Sequence, residues 1–387
     1  MKVLHVAPIK ESASGVVTVL AQLLPRLSEN NTNIVLLASN RNSVVPTLLS
    51  DNIETLSYNN YFGSRRYLKT IPRLTKQTEM LLKSIDIVHF HGVYNPSHIV
   101  LSRYLKTERI PYVVSSHGNL VRQAQAYHKY RKKVANIVFV KGFLRSASAL
   151  HALSRTEQEG MVHMVRQANV FTIPNAAPQT YITRKYREPN RELHKQYDAN
   201  RLLLYMGRID VPHKGLDLLY QGVRLSKTLL EENNVKILLV GPSDSESDTD
   251  FLRMLSRSSV NHLIRYVGPK YGEEKLRYLE GADAFVHTSR YEGMPMAVLE
   301  ALSLGRPCIV TPGTNMGDVV STSRGGWEAN ADPESIAQVL NQFASVSEQD
   351  LITRGKNAKL YVSVKMCWKT IAEQYRDMYS SILTSLS

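Results

Sequence analysis

Short apolar runs alternate with helix-length segments along nearly all of this 387-residue chain, and the pattern occurs twice. In the first half, 2–9, 33–39, 53–58, 85–91, 111–116, 148–153 and 170–174 read as strands, with helical stretches 15–28, 66–84, 96–107 and 155–165 between several of them. In the second half, strands 201–206, 236–240, 264–267, 284–288 and 307–311 alternate with helices 214–232, 249–258, 272–281 and 295–304, followed by helices 333–344 and 348–360. Continuous apolar strands separated by helices imply parallel sheets covered on both faces, an α/β fold. The length exceeds one ordinary core, so two domains are expected. The polar stretch 177–198 has no clear apolar period and reads as a linker or an irregular edge of one domain. Val364 to Leu386 is helical, with Trp368, Ile371, Tyr375, Met378 and Tyr379 on or near one face.

Two loops carry the candidate chemistry. In Ser289-Arg290-Tyr291-Glu292-Gly293-Met294-Pro295-Met296-Ala297-Val298-Leu299-Glu300, two glutamates lie either side of a proline suited to the first position of a helix. Glu292 is then expected on a loop and Glu300 within the helix, beside the free N–H groups of its first turn, which favour an anion. In Tyr205-Met206-Gly207-Arg208-Ile209-Asp210, followed by His213-Lys214-Gly215, Gly207 ends a buried strand and Lys214-Gly215 opens a helix. Arg208 and Lys214 therefore lie at the carboxyl end of a strand, where open α/β sheets bind ligands. An arginine fork and a lysine point charge suit a diphosphate. Taken singly, each segment also fits two chance glutamates or two solvated cations. Together they point to a substrate with hydroxyls and phosphates, a nucleotide-sugar.

These motifs resemble those of the retaining GT-B glycosyltransferases of family four, and the resemblance covers most of the chain. Gly207-Arg208 with Lys214-Gly215 is similar to that family's diphosphate motif, and Glu292 through Glu300 to its E-x7-E motif. Ile173-Pro174-Asn175 is similar to the stretch that closes its first domain, with Ala176 where glycine is usual. Ser116-His117-Gly118 is similar to its histidine-glycine turn, and Ser12-Ala13-Ser14-Gly15 to its first loop, with one glycine where two are common. The resemblance implies two Rossmann-like domains facing a cleft. Residues 1–176 would bind the acceptor, 199–363 the nucleotide-sugar donor, 177–198 would link them, and a final helix, 364–387, would cross back onto the first domain. It also implies Glu292, His117, Arg208 and Lys214 as catalytic residues. Gly15, Gly207, Arg208, Lys214, Gly293, Met294 and Glu300 would bind the donor, with Glu300 holding its ribose.

Charge narrows the acceptor. Residues 1–187 carry 25 Lys+Arg against 9 Asp+Glu, a balance of +16, whereas 188–387 carry 23 against 25. A donor site in the second half does not account for that excess, so an acidic partner of the first half is expected: a membrane face, a lipid diphosphate or a charged glycan. The segment Arg122 to Arg145 interleaves Arg122, Lys129, Arg131, Lys132 and Lys133 with Tyr127, Tyr130, Val134, Ile137, Val138 and Phe143. As a helix it could lie on an anionic bilayer, or it could be a domain helix with solvated early turns and core later turns. No helix-turn-helix, zinc-finger or RNA-recognition signature accompanies the charge, so nucleic acid is not an expected partner.

His117 and Gly118 follow an apparent buried strand, which brings the histidine to a strand's carboxyl end. His89 and His91 alternate on another strand and share a face, but the sequence shows no third metal ligand. His91 is a candidate for the acceptor side. Two cysteines, Cys308 and Cys367, suggest a reducing compartment, no apolar run is long enough to span a membrane, and Met1 to Pro8 reads as a first strand and not a signal peptide. A cytoplasmic protein peripheral to the inner face of the membrane is expected.

The expected reaction is metal-independent glycosyl transfer with retention, using no cofactor, in cell-surface polysaccharide assembly (lipopolysaccharide, capsule or exopolysaccharide). Arg208 and Lys214 would meet the charge of the leaving diphosphate. A soluble or protein acceptor, a glycosidase, and a non-catalytic module of the same fold are the alternatives. A retaining glycosidase needs carboxyls about 5–5.5 Å apart, closer than a loop glutamate and one five residues into the next helix should lie, and it has little use for Arg208 and Lys214.

Overall fold

The computed structural model describes residues 1–7, 15–29, 32–38, 53–57, 76–126, 129–243 and 245–385. The chain divides into two compact units, Met1–Ala176 with Trp368–Ser387, and Ala177–Cys367.

In the first unit seven parallel strands form one sheet: β1 (Lys2–Ala7), β2 (Asn33–Ala38), β3 (Glu54–Ser57), β4 (Ile87–His91), β5 (Tyr112–Ser115), β6 (Ala149–Ala152) and β7 (Val170–Thr172), in the order β3-β2-β1-β4-β5-β6-β7. The order reverses between β1 and β4, the kind of switch point where such sheets open a crevice at their carboxyl ends. β1, β4, β5 and β6 are wholly buried apart from Lys2, because helices cover both faces of the sheet. The helix Trp368–Thr384 turns Trp368, Ile371, Ala372, Tyr375, Met378, Tyr379 and Ile382 inward and packs on the helix Gly15–Ser28.

The second unit holds a six-stranded parallel sheet of β8 (Arg201–Met206), β9 (Val235–Val240), β10 (Ile264–Tyr266), β11 (Ala284–His287), β12 (Cys308–Val310) and β13 (Gly326–Glu328), in the order β10-β9-β8-β11-β12-β13. Its core runs from Leu203 and Tyr205 through Ile237, Leu239 and Val286 to Phe343.

Several elements depart from the expectation. The expected linker 177–198 belongs to the second unit, with helices Gln179–Ile182 and Arg191–Tyr197. Leu193 is buried there, and His194 Nε2 lies 2.7 Å from Asp283, whose carboxylate also accepts from the Leu202 amide. Val364 and Lys365 finish the helix Glu348–Lys365, so the last helix begins at Trp368. The expected helix 214–232 is three pieces, Val211–Lys214, Leu216–Leu225 and Lys227–Glu232. Pro295 is the N-cap of the helix Met296–Ser303 and not its first residue.

Candidate active site

The break in that predicted helix builds the cationic part of the site. Asp210 caps Val211–Lys214 by accepting from the His213 amide at 3.3 Å, and Gly215, at φ +63°, ends it in the left-handed region. A Cβ on Gly215 would lie 2.2 Å from the Thr288 carbonyl oxygen, so only glycine lets this turn press against the end of β11. The Thr288 hydroxyl donates to the carbonyls of Lys214 and Gly215, at 3.1 Å each. Arg208, just past β8, has its guanidinium half exposed and 3.1 Å from Asp210, and the Tyr205 hydroxyl donates to its carbonyl at 2.8 Å.

Lys214 reaches Glu292, with Nζ 2.5 Å from Oε1. The same oxygen accepts from Ser289 Oγ at 2.9 Å and lies 3.2 Å from His287 Nε2. Asn315 Nδ2 donates to the carbonyls of Glu292 and Gly293, at 2.7 and 3.0 Å, and His213 stacks on Tyr291 while its Nε2–H donates to the Tyr291 carbonyl at 2.8 Å. Burial alone would push the Glu292 carboxyl up. The Lys214 ammonium and the His287 hydrogen bond outweigh it and hold the group well below the usual carboxylate range. Burial lowers His287, with Glu292 opposing. Glu292 is therefore a fixed carboxylate on a loop pinned from both sides. It can accept hydrogen bonds from hydroxyls and stabilise positive charge, and it is poorly suited to deliver a proton.

Glu300 is buried, one side of its carboxylate 2.7 Å from Lys275 Nζ. Burial raises it and Lys275 draws it back.

In the first unit His117 sits in the left-handed region at φ +50°, followed by Gly118 at +82°. Glu157 holds this turn: its wholly buried carboxylate accepts from Ser116 Oγ, from the Gly118 amide at 2.5 Å and from the Leu153 amide at 2.7 Å. Burial raises the Glu157 carboxyl and the three donors oppose it.

Behind the turn lie His5, His89, His91 and His151, all buried. His5, His89 and His91 each bring one ring nitrogen within 4.8 Å of the others, so the sequence missed a third member of this group. Hydrogen bonds occupy both nitrogens of His89, to Tyr379 at 2.6 Å and Ser115 at 2.7 Å, and both of His91, to His5 at 3.0 Å and His117 at 2.9 Å. An ion would have to displace those bonds.

Residues 13–178 match the family model described as Glycosyltransferase Family 4, and residues 200–345 the one described as Glycosyl transferases group 1. The chain belongs to this glycosyltransferase family. A GDP-mannose:cellobiosyl-diphosphopolyprenol alpha-mannosyltransferase of Xanthomonas oryzae pv. oryzae is 25% identical over 327 residues, which is 84% of this chain and 80% of the relative. A putative teichuronic acid biosynthesis glycosyltransferase of Bacillus subtilis is 27% identical over 252 residues, 64% of this chain and 57% of that one. Sucrose-phosphate synthase from Thermosynechococcus elongatus superposes with a TM-score of 0.76 at 18% identity over the whole of both chains. Anabaena HepE in complex with UDP superposes at 0.74 and 17% identity, covering 98% of this chain and 100% of that one. The fold is GT-B, two Rossmann-like units of parallel sheet.

In this glycosyltransferase Arg208, Lys214, Glu292 and Glu300 all lie in the second unit, with Gly207, Gly293 and Met294 in the same loops, and Lys214 and Glu292 are in direct contact. His117 and His91 lie in the first unit and touch each other. Gly15 opens the helix Gly15–Ser28, while Ser12 to Ser14 lie outside the described residues. The basic segment is helical from Lys129 to Arg145, with a π-helical turn at Asn136–Val140. Lys129, Arg131 and Lys133 are exposed on it, and Arg122 is exposed on the helix before it. Lys132 instead folds back, donating to the Ala124 carbonyl at 2.6 Å over the Tyr94 ring. The later turns divide: Val140, Phe143 and Leu144 are core, but Val134, Ile137 and Val138 are 62–66% exposed.

The sequence reading missed Glu157, His287, Ser289 and Asn315. Glu157 was within reach, because Ser154-Arg155-Thr156-Glu157 is a capping-box pattern, and Ser154 Oγ does accept from the Glu157 amide at 3.2 Å.

Proposed function

We propose that this glycosyltransferase moves a sugar from a nucleotide-sugar to a lipid-linked or glycan acceptor, with retention and without a metal ion. The observation that carries the reading is the Lys214–Glu292 pair, partly buried in loops that also hold Arg208 and His213. Departure of a nucleoside diphosphate develops negative charge, and Lys214 and Arg208 are the cations that meet it, so no divalent ion is required. The anomeric carbon gains positive charge at the same moment. Glu292, ionised throughout the working pH range, stabilises it and accepts from sugar hydroxyls. The acceptor hydroxyl attacks from the departing side and gives its proton to a diphosphate oxygen. Glu300, neutralised by Lys275, holds the ribose. His117 contacts the donor sugar.

The acceptor side rests on the first unit. Tyr130, Val134, Ile137 and Val138 form an exposed apolar ridge, with Lys129, Arg131 and Lys133 among them and no acidic residue from Arg122 to Arg145. That chemistry suits an anionic bilayer surface, and no described helix is long and apolar enough to cross a membrane. We therefore place the enzyme at the inner face of the membrane, in surface-polysaccharide assembly. The Xanthomonas relative, whose name gives it a polyprenol-diphosphate acceptor, supports this reading.

Calorimetric titration with UDP-, GDP-, ADP- and CMP-sugars tests the donor site. One nucleotide is expected to bind tightly, and Arg208→Ala to lose that binding. Equal binding by the wild type and the variant would overturn the assignment.

A further inference from the structure

Five histidines of the first unit lie in two hydrogen-bonded chains, and one chain ends at His117. Ring nitrogens meet in series: His5 Nδ1 lies 3.0 Å from His91 Nε2, and His91 Nδ1 lies 2.9 Å from His117 Nε2. The rings are close to parallel, at 17° and 25° between successive planes. His5 stands on β1 and His91 on β4, adjacent strands at the point where the sheet order reverses, and His117 follows β5. His5 and His91 are at most 1% exposed, while His117 is partly exposed. The chain of rings thus runs from the core to the carboxyl edge of the sheet.

We propose that His5 and His91 are positioning residues that hold His117 in the tautomer with its proton on Nδ1, so that His117 presents an N–H donor to an oxygen of the donor sugar. This rests on the reading of His117 as a donor-sugar contact.

Hydrogen-bond direction decides the tautomer. Each neutral imidazole has one donor and one acceptor nitrogen. Three rings in series can therefore be polarised only two ways. In the first, His5 Nδ1–H donates to His91 Nε2, His91 Nδ1–H donates to His117 Nε2, and the last proton sits on His117 Nδ1. In the second, every bond is reversed and the last proton sits on His5 Nε2. That atom is buried and has no hydrogen-bond partner among the described residues. The second direction therefore leaves a buried N–H unpaired, the rarest defect in native interiors, whereas the first leaves only a lone pair. At the other end, the partly exposed His117 Nδ1 can be satisfied by water or substrate in either direction. The buried end decides, and it places the proton on His117 Nδ1. A charged ring would break the scheme, and burial, which lowers His5, His91 and His117 alike, keeps all three neutral at neutral pH.

The second chain fixes the frame around the first. His151 Nε2–H donates to the Ile173 carbonyl at 2.8 Å, which can only accept. His151 Nδ1 must then accept from Ser115 Oγ at 2.6 Å, Ser115 from His89 Nε2 at 2.7 Å, and His89 Nδ1 from the Tyr379 hydroxyl at 2.6 Å. Ser115 precedes the Ser116-His117 turn, so this chain anchors the strand from which His117 projects.

The test is nitrogen NMR of the free, full-length protein labelled at the histidine ring nitrogens, with His117→Gln used to assign the signals. His117 should show a pyrrole-type Nδ1 and a pyridine-type Nε2, and His91 the same. His117 with its proton on Nε2 would overturn the proposal, whatever reaction the enzyme proves to catalyse. Two variants add a kinetic reading with the donor selected by calorimetry. His5→Asn keeps an amide N–H near the place of Nδ1 and should keep the His117 tautomer and most of the turnover. His5→Leu cannot donate, and should blur the tautomer and lower kcat about tenfold with little change in KM. Wild-type turnover in a folded His5→Leu variant would count against the positioning role. If that variant does not fold, the wild-type and His5→Asn spectra still decide the proposal.

Discussion

Acidification should unfold the first unit. His5, His98 and His151 are wholly buried, and burial lowers His5 to about 3 and His98 and His151 to about 4, from 6.5 in the unfolded chain. His89 and His91 shift the same way. Because the folded values are depressed, the unfolded chain takes up protons that the folded chain refuses. The stability these residues contribute is complete above pH 6.5 and is lost as pH falls below it. For one such histidine the loss is about 0.8 kcal/mol at about pH 6 and about 2 kcal/mol at about pH 5. The three together lose about 6 kcal/mol at about pH 5, which matches the whole stability of many domains. The chain has two tryptophans, Trp327 in the second unit and the buried Trp368 in the first, so Trp327→Phe leaves a reporter of the first unit alone. Urea titrations followed by Trp368 fluorescence should show a midpoint that falls steadily from about pH 7 to about pH 5 with an unchanged slope. His98, whose Nδ1–H donates to the Gly92 carbonyl at 3.0 Å, gives the control. His98→Asn should remove about 2 kcal/mol of the stability change between about pH 7 and about pH 5. Stability constant to within about 1 kcal/mol across that span would show that these rings protonate in place at no cost to the fold, contrary to this expectation.

Glu292→Gln, which leaves Lys214 without its anion, should lower kcat by about 10²–10³-fold, measured in steady-state turnover. Gly215→Ala should cost at least about 1–2 kcal/mol in urea unfolding from its left-handed φ alone, and should weaken donor binding by shifting Lys214, because the new methyl meets the Thr288 carbonyl. Ile137→Glu with Val138→Glu should abolish flotation with vesicles containing anionic lipid. Neutralising Lys129, Arg131 or Lys133 should weaken that association by about fivefold each, about 1 kcal/mol, with neutral vesicles binding poorly throughout.

The parallel sheets were legible because each central strand, such as Leu202-Leu203-Leu204-Tyr205, is buried on both faces and carries an unbroken apolar run. Strand β13, Gly326–Glu328, was not, because it is an edge strand of three residues opening on a glycine whose missing side chain leaves room for the Cys308 backbone. The helix Gly317–Ser323 was missed for a similar reason: Gly-Asp-Val-Val-Ser-Thr-Ser carries too short an apolar period. Periodicity ran straight through Gly215, since Leu216, Leu218, Leu219 and Val223 keep a helical rhythm on one side of the break. At the candidate site, Arg208, Lys214 and Glu292 stand out in the sequence because loop motifs are local, and the structure brings Lys214 and Glu292 into contact. Their partners could not. His287 and Ser289 look like the end of a buried strand, and His5 and His91 meet across 86 residues of sequence through strand pairing alone. Lys132 stands among the surface cations in the sequence, yet its ammonium lies over the Tyr94 ring and donates to a backbone carbonyl, a fold-back that composition does not reveal.

Metal-independent transfer with retention, proposed for the Lys214–Glu292 site, is decided by the anomeric configuration of the product. The donor selected by calorimetry, a lipid-diphosphate acceptor and excess chelator should yield a glycosidic product of the donor's own anomeric configuration by proton NMR, with none formed by Lys214→Ala. A product of inverted configuration, a requirement for added divalent metal, or release of free sugar alone would contradict it.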